Sequence, residues 1–181
     1  IQEYTAHDGM ILYPLAKYIR LVDRDTSLPD AYKQKSVLYK SALAHFLGKW
    51  ERYYKSVGQE GYILFPNDQN GSDSNYNLDI GYGAGATLPY NQFLVYARFL
   101  LELSRTTGDP QQNEMAKAMG RAFRNRLYEN PQRPSAWAWN YSDEILLPPD
   151  LGRRVVVEDV SHANLDVSMM LDLNRLLPDS A

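Results

Sequence analysis

His162 lies in the sharpest chemical cluster of this chain, the run Glu158-Asp159-Val160-Ser161-His162-Ala163-Asn164-Leu165-Asp166. On a helix, Glu158, His162 and Asp166 fall at i, i+4 and i+8 and share one face. Carboxylates at contact spacing hold an imidazole in one tautomer and raise its basicity, as a general base or metal ligand requires. The structural alternative is that Glu158 and Asp159 complement the dipole of a helix start while His162 ties that helix to a loop. The residues alone leave both readings open.

Three further clusters carry polar-aromatic chemistry. His7-Asp8 precedes the expected first helix, where Asp8 suits an N-cap and His7 a surface position or a place at a ligand site. Asn75-Tyr76-Asn77-Leu78-Asp79-Ile80-Gly81-Tyr82-Gly83-Ala84-Gly85 is followed by Tyr90-Asn91-Gln92. Glycines let the backbone approach a ligand, while tyrosine rings cover an apolar sugar face and OH and amide groups bond hydroxyls. A packed loop plugging the core is the plain alternative. In Trp137-Ala138-Trp139-Asn140-Tyr141 the two indoles, two residues apart in an extended segment, point the same way and form either a platform or a local anchor.

Cofactor chemistry is not indicated. No phosphate-binding glycine loop is present. Asp68, Asn70, Ser72 and Asp79 resemble a calcium loop but lack its central Gly and terminal Glu, so no metal is expected.

These clusters need elements to hold them. Ile11, Leu15, Tyr18, Ile19 and Val22 recur at helical spacing and predict a helix over about 9–23, with Pro14 implying a kink or a later start. A second helix is expected over 30–56, its face formed by Tyr39, Leu43, Phe46, Trp50 and Tyr53. Residues 57–87 lose this period, apart from a short strand near 61–66, and 130–157 form a second long loop with four prolines. Between them, helices are expected over 89–105, apolar nearly all round, and 111–128, with one apolar stripe opposite Lys117, Arg121 and Arg124. A last helix is expected over 158–177. At least half the residues should be helical, in about five helices.

Composition closes off several classes. At 181 residues, with 44% hydrophobic and 23% charged, the chain fits one soluble globular domain. A formal charge of −3 gives no basic surplus for nucleic acid. No apolar run approaches the roughly 20 residues of a membrane span. Cysteine is absent, which removes disulfides and thiolate sites. A secreted or periplasmic setting is favoured.

Pro89-Tyr90-Asn91-Gln92, the apolar helix after it, and Leu103-Ser104-Arg105-Thr106-Thr107-Gly108-Asp109 before the next helix resemble a hairpin of the six-hairpin, or (α/α)6-toroid, superfamily. That superfamily includes glycoside hydrolases and polysaccharide lyases. Tyr4–Met10 and Glu158–His162 resemble its loop-to-inner-helix entries. The resemblance implies an all-α fold of consecutive antiparallel helical hairpins in two layers. Residues 1–181 would form a single α/α-hairpin domain within a partial toroid, completed by a missing chain segment or a second subunit.

The activity implied is lyase or hydrolase chemistry on a polysaccharide or oligosaccharide, expected to be acidic. A lyase needs a base (His162 or Tyr90), an acid for the leaving oxygen (Tyr82 or Tyr141), and groups facing the uronate carboxylate (Asn91, Gln92, Arg154). A hydrolase would draw its two carboxylates from Glu158, Asp159 and Asp79. His7, Trp137 and Trp139 would bind sugar. A non-catalytic carbohydrate-binding or helical scaffold domain is the alternative.

Overall fold

The computed structural model of the protein describes residues 5–65, 86–141 and 160–176. Helix makes up 67% of the structure, so the mainly helical class holds. Among the described residues the elements are α1 (Thr5–Arg24), α2 (Asp30–Phe46), a 3-10 turn (Glu51–Tyr53), β1 (Tyr54–Val57), β2 (Glu60–Ile63), α3 (Tyr90–Thr107), α4 (Pro110–Arg124), β3 (Tyr128–Glu129), β4 (Trp137–Ala138) and α5 (Val160–Leu176). Two small antiparallel ladders join β1 to β2 and β3 to β4. None of the described helices is long and apolar enough to cross a membrane.

Three boundaries differ from expectation: the start of α1, the end of α2, and the end of α4, which stops at Arg124, four residues short, with Tyr128 pairing in β3. α1 begins at Thr5, so Asp8 lies inside its first turn and is not its N-cap. The carboxylate instead accepts hydrogen bonds from Lys49 Nζ and Trp50 Nε1, both at 2.7 Å. Pro14 stays within α1 on an exposed face, where a carbonyl that loses its helical partner can be hydrated. α2 stops at Phe46, ten residues short of the expected end. Leu47 is extended and Gly48 has φ 84°, a left-handed turn that glycine takes at no steric cost. The chain after it pairs as β1 with β2, Tyr54 opposite Ile63 and Val57 opposite Glu60.

The α3–α4 hairpin follows its local signals. Gly108 closes α3 in the left-handed conformation. Asp109 then caps α4, its Oδ1 accepting from Gln111 N at 2.8 Å. From Tyr90 to Ser104 every residue of α3 except Arg98 is buried. α4 is one-sided, burying Met115, Met119, Ala122 and Phe123.

Contacts set the direction of the helices. Gly9 of α1 lies on the backbone of Val95 and Tyr96, Tyr13 meets Arg98, and Arg20 pairs with Glu102. Positions rise together along both helices, so α1 and α3 run parallel. α5 runs the same way, with its first turns near the start of α3 and Asp172 on Arg98. One polar knot joins all three. The Arg98 guanidinium stacks over the Tyr13 ring, 4.0 Å from its centroid, and pairs with Asp172, while the Tyr13 hydroxyl donates to Asp172 Oδ2 at 3.2 Å.

Candidate functional site

The entries to α3 and α5 meet the segment that follows β4. A helix start leaves its first N–H groups without intrahelical partners. At α3 the Tyr90 N–H donates to the Tyr141 carbonyl at 3.0 Å, and the loop is pinned there. The Tyr141 ring then stands edge-to-face on His162, with centroids 5.7 Å apart and planes at 62°. Two residues earlier, the Trp139 indole N–H donates to Asp166 Oδ2 at 3.0 Å.

The spacing explains this double contact. Four residues of helix rise about 6 Å, from His162 to Asp166. Two residues of extended chain cover about 6.6 Å, from Trp139 to Tyr141. The strip and the helix face therefore run in register.

An aromatic chain backs this strip. Trp139 packs on Phe123 with centroids 5.3 Å apart, Phe123 on Tyr90 at 5.3 Å, and Tyr90 on Phe93 at 5.5 Å. Asp166 is fully buried beneath it. The structure thus brings His162, Tyr141, Tyr90 and Trp139 together. Tyr90 is 1% exposed, and Asn91 and Gln92 are buried beside it, so these three side chains face the interior. The Asn91 Oδ1 is buried with no hydrogen-bond partner among the described residues. Trp137 is 66% exposed, and His7 is exposed on the first turn of α1. Tyr82, Arg154, Glu158 and Asp159, with Asp79, lie outside the described residues.

Sequence reasoning missed two features. The first is a groove of about 410 Å³ between α4 and α5, walled by Trp137, Trp139, Phe123 and Leu171 and edged by Lys117, Arg121 and Arg124. Both indoles of the 137–139 pair reach it, as an extended segment dictates. The second is the group around Tyr96, whose hydroxyl is buried with no hydrogen-bond partner among the described residues. Burial first, then the nearby Glu51 and Asp8 charges, push this phenol well above its ordinary range. Burial and the Asp109 charge likewise raise the Glu51 carboxyl. Nothing in the spacing of Asp8, Glu51 and Tyr96 along the chain announces their proximity. Among the described residues no group of three His, Asp or Glu side chains could hold a metal ion.

Chemically, the His162–Tyr141 pair sets a proton acceptor beside a phenolic donor, at the end of the fold where α1, α3 and α5 begin. Comparison with known proteins finds no match for the chain, whether among family models, curated proteins or solved structures.

Proposed function

We propose that the chain is part of a carbohydrate-active enzyme of the α/α-toroid kind, acting on an acidic polysaccharide. The observation that carries the reading is the His162–Tyr141 pair, 5.7 Å apart at the common start of parallel helices and one helical turn from the Trp139–Asp166 bond. Lyase chemistry suits this pair best. His162 takes the proton next to the uronate carboxyl, the released electrons form the ring double bond, and the 4-linked oxygen leaves with a proton from Tyr141. Tyr90, buried as it is, acts as a positioning residue. Its main-chain N–H fixes the Tyr141 carbonyl and so the phenol's place beside His162. Hydrolysis would instead fall to a carboxylate pair.

The test is turnover of a panel of polyuronates, followed by the ultraviolet absorbance of the unsaturated product and, separately, by new reducing ends. His162→Ala should abolish turnover with the melting temperature almost unchanged. Tyr141→Phe should lower kcat about 10²-fold or more, because it removes the phenolic proton and keeps the carbonyl that holds α3. Reducing ends without absorbance would identify a hydrolase. A His162→Ala variant that keeps full activity would overturn the assignment.

A second reading is a non-catalytic carbohydrate-binding domain. It is favoured by the contrast between the buried Tyr90 and Asn91 and the exposed Trp137. Saccharide binding that survives His162→Ala, with no product on any substrate, would select it.

A further inference from the structure

The groove between α4 and α5 adjoins the candidate site, sharing Trp139 and Phe123 with it, but is not lined by His162 or Tyr141. Its walls are two helical stripes. On α5, Val167, Met170, Leu171 and Asn174 recur at helical spacing, and on α4 so do Lys117, Gly120, Arg121 and Arg124. The floor is the close helix contact at Gly120, where a Cβ would collide with the Leu173 side chain. Val167 and Leu171 remain 43% and 50% exposed although they line the groove. Small-molecule pockets bury most of their ligand, whereas these walls are open along their length. From Lys117 to Arg124 the α4 wall extends about 10 Å, two turns of a helix.

Among the described residues the charged side chains of the rim are all cationic. Lys117 pairs with Glu114 at 2.9 Å, and Arg121 pairs with the same carboxylate at 3.8 Å while its Nε donates to the Gln59 carbonyl at 2.7 Å. Arg124 is exposed, with no ion pair among the described residues. Among the described residues no acidic side chain lines the groove. We infer that this groove is a docking site for an amphipathic α-helix of a partner polypeptide, its apolar face on Val167, Leu171 and Trp137 and its acidic flank on Arg124. Helix-in-groove recognition has these features: apolar anchors at i, i+3, i+4 and i+7, with register chosen by flanking charge. A second copy of this chain is the poorer fit. On α2 the exposed Val37 and Leu38 share their helix with Lys33, Lys35 and Lys40, the same sign as the rim.

The experiment uses the chain itself and two synthetic helical peptides of about 15 residues, more than enough to span the two turns. Both carry leucines at i, i+3, i+4 and i+7, one flanked by Glu and the other by Lys. Binding is measured by calorimetry and by the emission of Trp137, with Trp137→Phe identifying the signal. The Glu peptide should bind at least about tenfold more tightly than the Lys peptide, and Arg124→Glu should reverse that order. Leu171→Lys should weaken binding about tenfold or more with the melting temperature kept, since the position is half exposed. Equal binding of the two peptides, binding of neither, or indifference to Leu171→Lys would overturn the proposal. So would a wild-type dimer in sedimentation that Leu171→Lys dissolves, since the groove would then hold a second copy.

Discussion

α2 and α3 are nearly equal in length, 17 and 18 residues, and differ almost completely in what holds them. α3 buries all but one residue of its first four turns, between α1, α4 and α5. α2 buries only Ser36 and Leu43 and leaves Val37 and Leu38 each 66% exposed. Its ties to the rest are peripheral. Ser36 Oγ donates to Asp23 at 3.1 Å, Lys40 pairs with Asp23, and the Tyr18 ring meets Tyr39. Helix propensity alone does not sustain a short helix in water, so a buried face must do so. The Tyr141 strip is pinned to the buried helix α3 through the Tyr90 N–H.

The largest expected effect tests that contrast directly. Phe99 is fully buried. Phe99→Ala should cost roughly 3–5 kcal/mol in a chemical melt, and Leu38→Ala on α2 about 0.5 or less. Equal losses would abolish the distinction between the two helices. Hydrogen exchange offers an independent view, since α2 amides should exchange through local opening well before those of α3.

A second prediction sharpens the comparison at the α1–α3 contact. Glycine-to-alanine changes inside helices usually stabilise, by about 0.5–1 kcal/mol. At Gly9 a Cβ would lie 2.7 Å from Tyr96 N and Val95 C, backbone atoms that cannot swing aside. Gly9→Ala should therefore destabilise by about 1–3 kcal/mol, an inverted sign that reports how closely α1 approaches α3. At Gly120 the obstructing group is a leucine side chain, so Gly120→Ala should cost less. A Gly9→Ala variant more stable than the parent would show that the two backbones are not in contact.

What the sequence made legible follows the range of the interactions. α3 and α4 could be read because their apolar period and their stop signals, Gly108 and Asp109, are local. The end of α2 could not. The face Tyr39, Leu43, Phe46, Trp50 and Tyr53 stays periodic past the true end, and what overrides it is the turn at Gly48 and pairing with β2. At the site, His162 and Asp166 were legible as one helix face, and Trp137 and Trp139 as one side of an extended strip. Their mutual approach was not, because it depends on the rise of two separate elements matching. Tyr90 was expected to face the ligand and is interior, an ambiguity that any amphipathic ring carries. The Tyr13–Arg98–Asp172 knot unites three helices through residues with no shared spacing.

The smallest effect concerns the β1–β2 hairpin, which buries Tyr62 and Ile63 and is further tied by charge to the residues that follow α4. Glu60 accepts from Arg126 Nη1 and Nη2 at 3.0 Å each, from Asn125 Nδ2 at 2.7 Å, and from the Tyr62 hydroxyl. Burial alone would raise this carboxyl, but the bonds from Tyr62, Asn125 and Arg126 together hold it below the ordinary range. A carboxyl depressed in the folded state stabilises above its unfolded pKa, about 4.3, and that contribution is lost as pH falls through the folded value. Glu60→Gln should therefore cost about 1 kcal/mol near pH 7, a modest amount because the pair is partly solvated. Urea melts of parent and variant should converge as the pH falls below about 4. A gap that persists unchanged in acid would mean that Glu60 holds the hairpin through neutral hydrogen bonds and packing. The contrast between α3 and a hairpin held partly by charge would then be lost.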